Sequence, residues 1–174
     1  MLMSPLEQPA SARPTSSVPF SVPETLNDAD LNSFIQLTHE LTGIQLDEKK
    51  RAMLYTRLTR RLRARRLDSF GDYIGLLRSG DPEEVEVFVN TVTTNLTYFF
   101  RETHHFDYLR DQILPNHARQ SKNGAIRIWS AGCSSGEEPY SITITLNEAG
   151  FSEPNAYRLL CTDLNTEMVS RTPE

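Results

Sequence analysis

The chain has 174 residues, 38% of them hydrophobic and 24% charged, and a net charge of −5. That is the composition of an ordinary globular protein: one domain, or one small domain plus part of another. No window approaches the ~20 apolar residues of a helical membrane span, and two cysteines make neither a disulfide framework nor a zinc site.

Residues 1–25 are rich in Pro, Ser, Thr and Ala and lack apolar periodicity. Such a segment buries too little surface to offset its ordering entropy and reads as a disordered tail. It has no basic start followed by an apolar run, so it does not read as a secretory signal. Five helical patterns follow. Asn27 or Asp28 caps the first, which carries Leu31, Phe34, Ile35 and Leu41 on one face and ends at Gly43. Asp47 opens a second with a stripe of Met53, Leu54, Leu58 and Leu62. Ser69 caps a third through Phe70, Tyr73, Leu76 and Leu77, ending near Gly80. Asp81, Pro82 and two glutamates start a fourth, since proline suits the first turn and acids the positive helix end. Its apolar side is Val85, Phe88, Val89 and Val92. These four give an expected helical domain over residues 26–92. A connecting segment over 93–121 contains the fifth helix, His104 to His117, with Phe106, Leu109, Ile113 and Leu114 inward.

The pattern then changes. Ala125 to Ala131 reads as a strand, Ser134 to Gly136 as a turn, and Pro139 to Ala149 as a helix closed by Gly150. Tyr157 to Thr162 reads as a second strand ending on Asp163, and Asn165 is placed to cap a further helix. Strand, glycine turn, helix and strand ending in an acid open a doubly wound α/β domain, here over residues 122–174. The fold class is therefore α/β with an all-α N-terminal domain. Cys133 and Cys161 read as small buried thiols of a protein in the reducing cytoplasm.

Charge is unevenly spread. Lys49 to Arg66 holds nine of the 18 basic residues and no acid, against 23 acidic residues elsewhere. A concentrated basic segment on an acidic protein suggests an anionic partner. Arg57, Arg60, Arg61 and Arg63 recur at roughly helical spacing opposite the leucine stripe. A solvated helix face is the plain alternative.

The glycine turn, Ser130 to Ser141, lies beyond the carboxyl end of the first strand, where such folds bind ligands. It lacks the G-x-G-x-x-G spacing of dinucleotide folds and the lysine of a P-loop. Glu137 and Glu138 at the helix start would repel a phosphate that this position usually attracts. S-adenosylmethionine carries no phosphate but has a sulfonium, an ammonium, a carboxylate and ribose hydroxyls. Glycines such as Gly132 for close approach and carboxylates for cations and hydroxyls suit it better, with Asp163 placed for the ribose. On spacing alone the glycines could equally tighten a turn and the glutamates cap a helix.

Three runs carry a resemblance: Ser130 to Ser141, Thr94 to Glu102 (TNLTYFFRE), and Thr162 to Thr166 (TDLNT). With the helical region from about Ala29, they resemble the CheR-type chemotaxis receptor glutamate methyltransferases, over nearly everything after the tail. The resemblance implies a Rossmann-like (class I) domain binding S-adenosylmethionine through Asn95, Thr97, Arg101, Gly132, Glu138 and Asp163. It implies receptor docking through Arg57, Arg60 and Arg63, with the methylation helices of chemotaxis receptors as partners rather than nucleic acid or the membrane interior. Arg101 could hold the carboxylate of donor or substrate bidentately and orient it. Phe99 and Phe100 read as packing residues.

The implied reaction makes a glutamyl methyl ester. A glutamate with a reference pKa near ~4.3 is already anionic at neutral pH, so alignment of oxygen, methyl and sulfur matters more than a general base. His104 and His105, adjacent on a helix, face different ways and are poor co-ligands, so no metal is expected. The chain carries two of about seven strands expected of such a domain, so it is expected to be truncated within it and to have little activity by itself. A non-catalytic receptor-binding helical module is the rival class, and an RNA methyltransferase the lesser alternative.

Overall fold

A computed structural model describes residues 25–120 and 124–171. The expected tail falls almost wholly outside the described residues. Four helices come first: α1 (Asp28–Thr42), α2 (Arg51–Arg65), α3 (Phe70–Arg78) and α4 (Pro82–Val92). Their starts follow the local chemistry. The side chains of Asn27, Ser69 and Asp81 each accept a hydrogen bond from an otherwise orphaned backbone N–H of the first turn. Gly43 ends α1 in the left-handed conformation, with φ of 74°. The basic segment begins instead with a short 3-10 turn, Glu48–Lys50, and the Asp47 side chain does not cap it.

The four helices close on one core. Phe34, Leu54, Leu58, Leu62, Tyr73 and Phe88 are fully buried. Phe34 is the hub, with ring centroids 6.1 Å from each of Phe70, Tyr73 and Phe88. Leu41 is the exception to the expected stripe of α1: it is 40% exposed, and Leu37 and Thr38 fill the inward positions.

After the connecting segment, α5 (His104–Tyr108) and α6 (Leu114–Gln120) are joined by a π-helical turn, Leu109–Ile113. The wider turn shifts the inward face. Phe106 and Leu114 are buried, but Ile113 is 40% exposed where a continuous 3.6-residue period would have turned it inward. Two parallel strands follow, β1 (Ile126–Ala131) and β2 (Tyr157–Thr162), in the register Ile126 to Tyr157 through Ala131 to Thr162. The crossover is α7 (Glu137–Glu148), which starts two residues earlier than expected, and α8 (Thr166–Val169) follows β2. A second apolar cluster joins Phe106, Leu114, Ile126, Ile142 and Leu146 on one face of the sheet. Trp129 and Leu160, register partners on the other face, are 65% and 58% exposed. The chain is thus an all-α domain followed by a partial α/β domain.

Candidate active site

A cavity of about 570 Å³ lies where the connecting segment passes the carboxyl ends of both strands. Asn95, Thr97, Arg101, Gly132, Glu138 and Asp163 all line it, so the fold gathers every residue expected to touch the donor. Thr93, Leu96, Tyr98, Glu102, His105 and Leu164 complete much of the wall.

Each functional group is held by its neighbours. The Asp163 carboxylate accepts a hydrogen bond from the Ser134 N–H at Oδ2 (2.8 Å) and from the Asn165 N–H at Oδ1 (2.7 Å). Two backbone donors fix its plane, and each oxygen keeps a lone pair for one hydroxyl of a vicinal diol. The Glu138 carboxylate accepts the Ser130 hydroxyl at 2.6 Å. Glu137 instead accepts the Ser135 hydroxyl and does not line the cavity. Arg101 is exposed and donates one N–H to the Leu96 carbonyl at 2.7 Å, which leaves four donors of its guanidinium. Gly132 has φ of 98°, a conformation that favours glycine. A Cβ there would meet nothing within 4 Å. The backbone therefore presents an open, close-approach surface to the cavity. Phe100, Glu102 and Ser134 also have positive φ, a concentration of uncommon backbone around one cavity.

These residues fit S-adenosylmethionine. The lining carries three carboxylates, Glu102, Glu138 and Asp163, and one guanidinium, Arg101. The donor carries two cationic groups, one carboxylate and a ribose diol. The thiols are set apart from this chemistry. Neither lines the cavity, and burial pushes both Cys133 and Cys161 above their ordinary range, away from the thiolate. Among the described residues, no group of three or more His, Cys, Asp or Glu could hold a metal ion. The His104 and His105 rings do not diverge as expected for neighbours on a helix. Their centroids lie 4.2 Å apart, edge to face, and His105 reaches the cavity wall. Phe100 packs into the second core as expected, but Phe99 is 55% exposed.

A second groove, about 660 Å³, is lined by Arg57, Arg60, Arg61, Asn90 and Glu167, and shares Thr93, Thr94, Asn95 and Leu96 with the first. The basic residues divide into two kinds. Arg60 and Arg63 are exposed and form no salt bridge among the described residues. Arg57 is half-buried and donates to the carbonyls of Thr91 (2.9 Å) and Thr93 (2.6 Å), at the end of α4. Arg61 donates twice to the carboxylate of Glu84, at 2.6 and 2.5 Å, and Arg65 approaches the same group at 3.1 Å. Glu84 is 1% exposed. Burial alone would raise its carboxyl, but the hydrogen bonds from Arg61 and the nearby charges outweigh it and hold it below the usual range. Arg61 therefore serves a buried ion pair as much as an open basic face. In the sequence Glu84 is one of two first-turn acids, and no local signal marks its burial.

Comparison with known proteins agrees with this geometry. Residues 29–93 match the family model "CheR methyltransferase, all-alpha domain", and residues 95–174 match "CheR methyltransferase, SAM binding domain". The chain is 45% identical over 147 residues to the chemotaxis protein methyltransferase of Salmonella typhimurium, covering 84% of this chain and 49% of that one. The Escherichia coli chemotaxis protein methyltransferase is 44% identical over the same shares. The Borreliella burgdorferi protein of that name is 36% identical over 92% of this chain and 59% of its own. The chain therefore spans about half the length of the curated relatives it matches. An all-α domain matched over residues 29–93 and a parallel βαβ unit with its cavity of donor-type residues matched over residues 95–174 place this chain in the CheR-type chemotaxis methyltransferase family.

Proposed function

We propose that the protein to which this chain belongs methylates glutamate side chains of chemotaxis receptors in the cytoplasm, with S-adenosylmethionine as donor. The observation that carries this reading is the convergence of Asn95, Thr97, Arg101, Gly132, Glu138 and Asp163 on one cavity. In it, Asp163 accepts the ribose hydroxyls, Gly132 lets the donor approach the backbone, and Glu138 and Glu102 offset its positive groups. Arg101 holds a carboxylate, that of the donor or of the incoming glutamate.

The bound donor supplies an electrophilic methyl on a sulfonium, with a neutral thioether as leaving group. The acceptor glutamate arrives ionised, so an oxygen–carbon bond forms as the carbon–sulfur bond breaks, and no proton has to move. The protein's work is alignment and exclusion of water. The basic groove supports a route for the acceptor. It is continuous with the donor cavity through Thr93, Thr94, Asn95 and Leu96. A glutamate-rich receptor helix resting against Arg60, which lines the groove with Arg57 and Arg61, could direct a carboxylate across that shared wall; Arg63, exposed on the same helix, stands outside the groove lining.

Calorimetry with S-adenosylmethionine on the full-length protein tests the site. Asp163→Ala should weaken binding by about 10- to 150-fold, the loss of hydrogen bonds to a charged acceptor worth roughly 1.5–3 kcal/mol. Unchanged affinity would remove the ribose assignment. Radiolabelled methyl transfer to receptor membranes tests the reaction, and labelling of RNA instead of receptor would overturn it.

A further inference from the structure

We infer that Asn165 is a positioning residue: it ties the ribose-binding carboxylate of Asp163 to the end of α4 in the helical domain. This rests on the reading of Asp163 given above. Asn165 is 1% exposed, although it is polar and stands in a loop at the start of α8, a helix of four residues. Burial of an amide is costly unless its groups are satisfied, and here every one is. Its Oδ1 accepts the Met168 N–H at 3.1 Å and so caps α8. Its Nδ2 donates to the Asn90 carbonyl (3.1 Å) and to the Thr93 hydroxyl (2.9 Å), both at the end of α4 and more than 70 residues away in sequence. Its backbone N–H donates to Asp163 Oδ1 at 2.7 Å.

Capping alone would not demand this arrangement. A serine caps as well, and a cap needs no burial and no partner in another domain. What the two Nδ2 bonds add is a fixed position for the main chain of residue 165, and with it the donor that orients Asp163. Neighbouring bonds extend the same seam. Thr166 N–H donates to Asn90 Oδ1 (3.0 Å), Asn90 Nδ2 donates to Thr166 Oγ1 (2.9 Å), and that hydroxyl donates to Glu86 Oε1 (2.6 Å). Thr93 itself lines both the donor cavity and the basic groove. The ribose carboxylate is thus held from one side by the glycine turn, through Ser134, and from the other by the helical domain, through Asn165.

The test is a double-mutant cycle on donor affinity in the full-length protein, read by calorimetry with S-adenosylmethionine. Asn165→Ser keeps a helix cap but cannot reach α4, and should weaken donor binding about fivefold to tenfold, the worth of one well-placed hydrogen bond. In an Asp163→Ala background the same substitution should cost less than about twofold, because the carboxylate it positions is gone. Equal losses in both backgrounds would mean a general structural role and overturn the inference, as would unchanged affinity in Asn165→Ser. If Asn165→Ser does not fold, Thr93→Val removes one of the two acceptors and should show a smaller loss with the same dependence on Asp163. A loss that persists without Asp163 would again overturn it. Should Asp163→Ala alone leave affinity unchanged, the ribose assignment fails and takes this inference with it, an outcome distinct from additivity.

Discussion

The helical domain and the α/β unit solve the burial problem differently. In the helical domain, four helices enclose Phe34, Leu54, Leu58, Leu62, Tyr73 and Phe88 from all sides. In the α/β unit, one face of the sheet packs on α7 and the connecting helices, while Trp129 and Leu160 stand exposed on the other. Parallel sheets are normally covered on both faces. In this 174-residue chain the fully enclosed core therefore lies in the first region, and the cavity lined by Asn95, Arg101 and Asp163 lies at the seam with the second. The geometry of a cavity at such a seam depends on how its two walls are tied together.

One substitution made in each region sharpens this contrast most. Leu58→Ala and Leu160→Ala delete the same atoms. Leu58 is fully buried on α2, so its loss should cost about 2–5 kcal/mol, transfer plus cavity. Leu160, 58% exposed on β2, should change stability by less than about 0.5 kcal/mol. Denaturant melts followed by helical signal in the 174-residue chain measure both. Equal costs would mean that the exposed sheet face is covered in solution.

A smaller effect, confined to the helical domain, is its acid response through Glu84. Arg61 and Arg65 hold this carboxyl below its ordinary value in the folded protein. As pH falls, the unfolded chain takes up the proton first. The contribution of Glu84 is then fully present above the ordinary glutamate value near ~4.3 and is lost as pH drops through the depressed folded value. Melts of the wild-type protein and E84Q should differ by about 1–3 kcal/mol at neutral pH, with the gap closing in acid. A gap independent of pH would show that packing, and not the ion pair, is what the glutamine disturbs.

How much of this was legible in sequence varies with the range of the interaction. Caps are local, so Asn27, Ser69, Asp81 and Asn165 announced their helices. The acid at the end of β2 was legible because strand, glycine turn and acid stand in a fixed order. The π turn was not, since an inserted residue leaves no mark in an apolar period and simply turns Ile113 outward. Leu41 sits in the last turn of α1, where the apolar spacing continues but the neighbouring helices do not cover it. Glu84 and Asn165 show the deeper limit. Each satisfies a local rule, as a first-turn acid and as a cap, and the long-range partners that bury it are invisible to that rule.

The arginines of α2 give the smallest and most specific test, because they look alike in sequence and stand in different places. Arg57 donates to two carbonyls at the end of α4, groups that a helix terminus leaves orphaned and partly negative. Arg57→Ala should therefore destabilise the helical domain by about 1–2 kcal/mol, because the bonds to a charged donor are lost and one terminus is left less satisfied. Arg60 and Arg63 are exposed, so the double substitution R60E/R63E should shift stability by less than about 0.5 kcal/mol. Its effect should fall on the acceptor instead: a higher KM for receptor in the methylation assay, with donor affinity unchanged. Added salt should raise the wild-type KM in the same direction, since exposed charges are screened over a Debye length of about 8 Å at physiological ionic strength. If R60E/R63E lowered donor affinity, or if Arg57→Ala raised the receptor KM without loss of stability, the division of this helix into a structural and a docking set would be reversed.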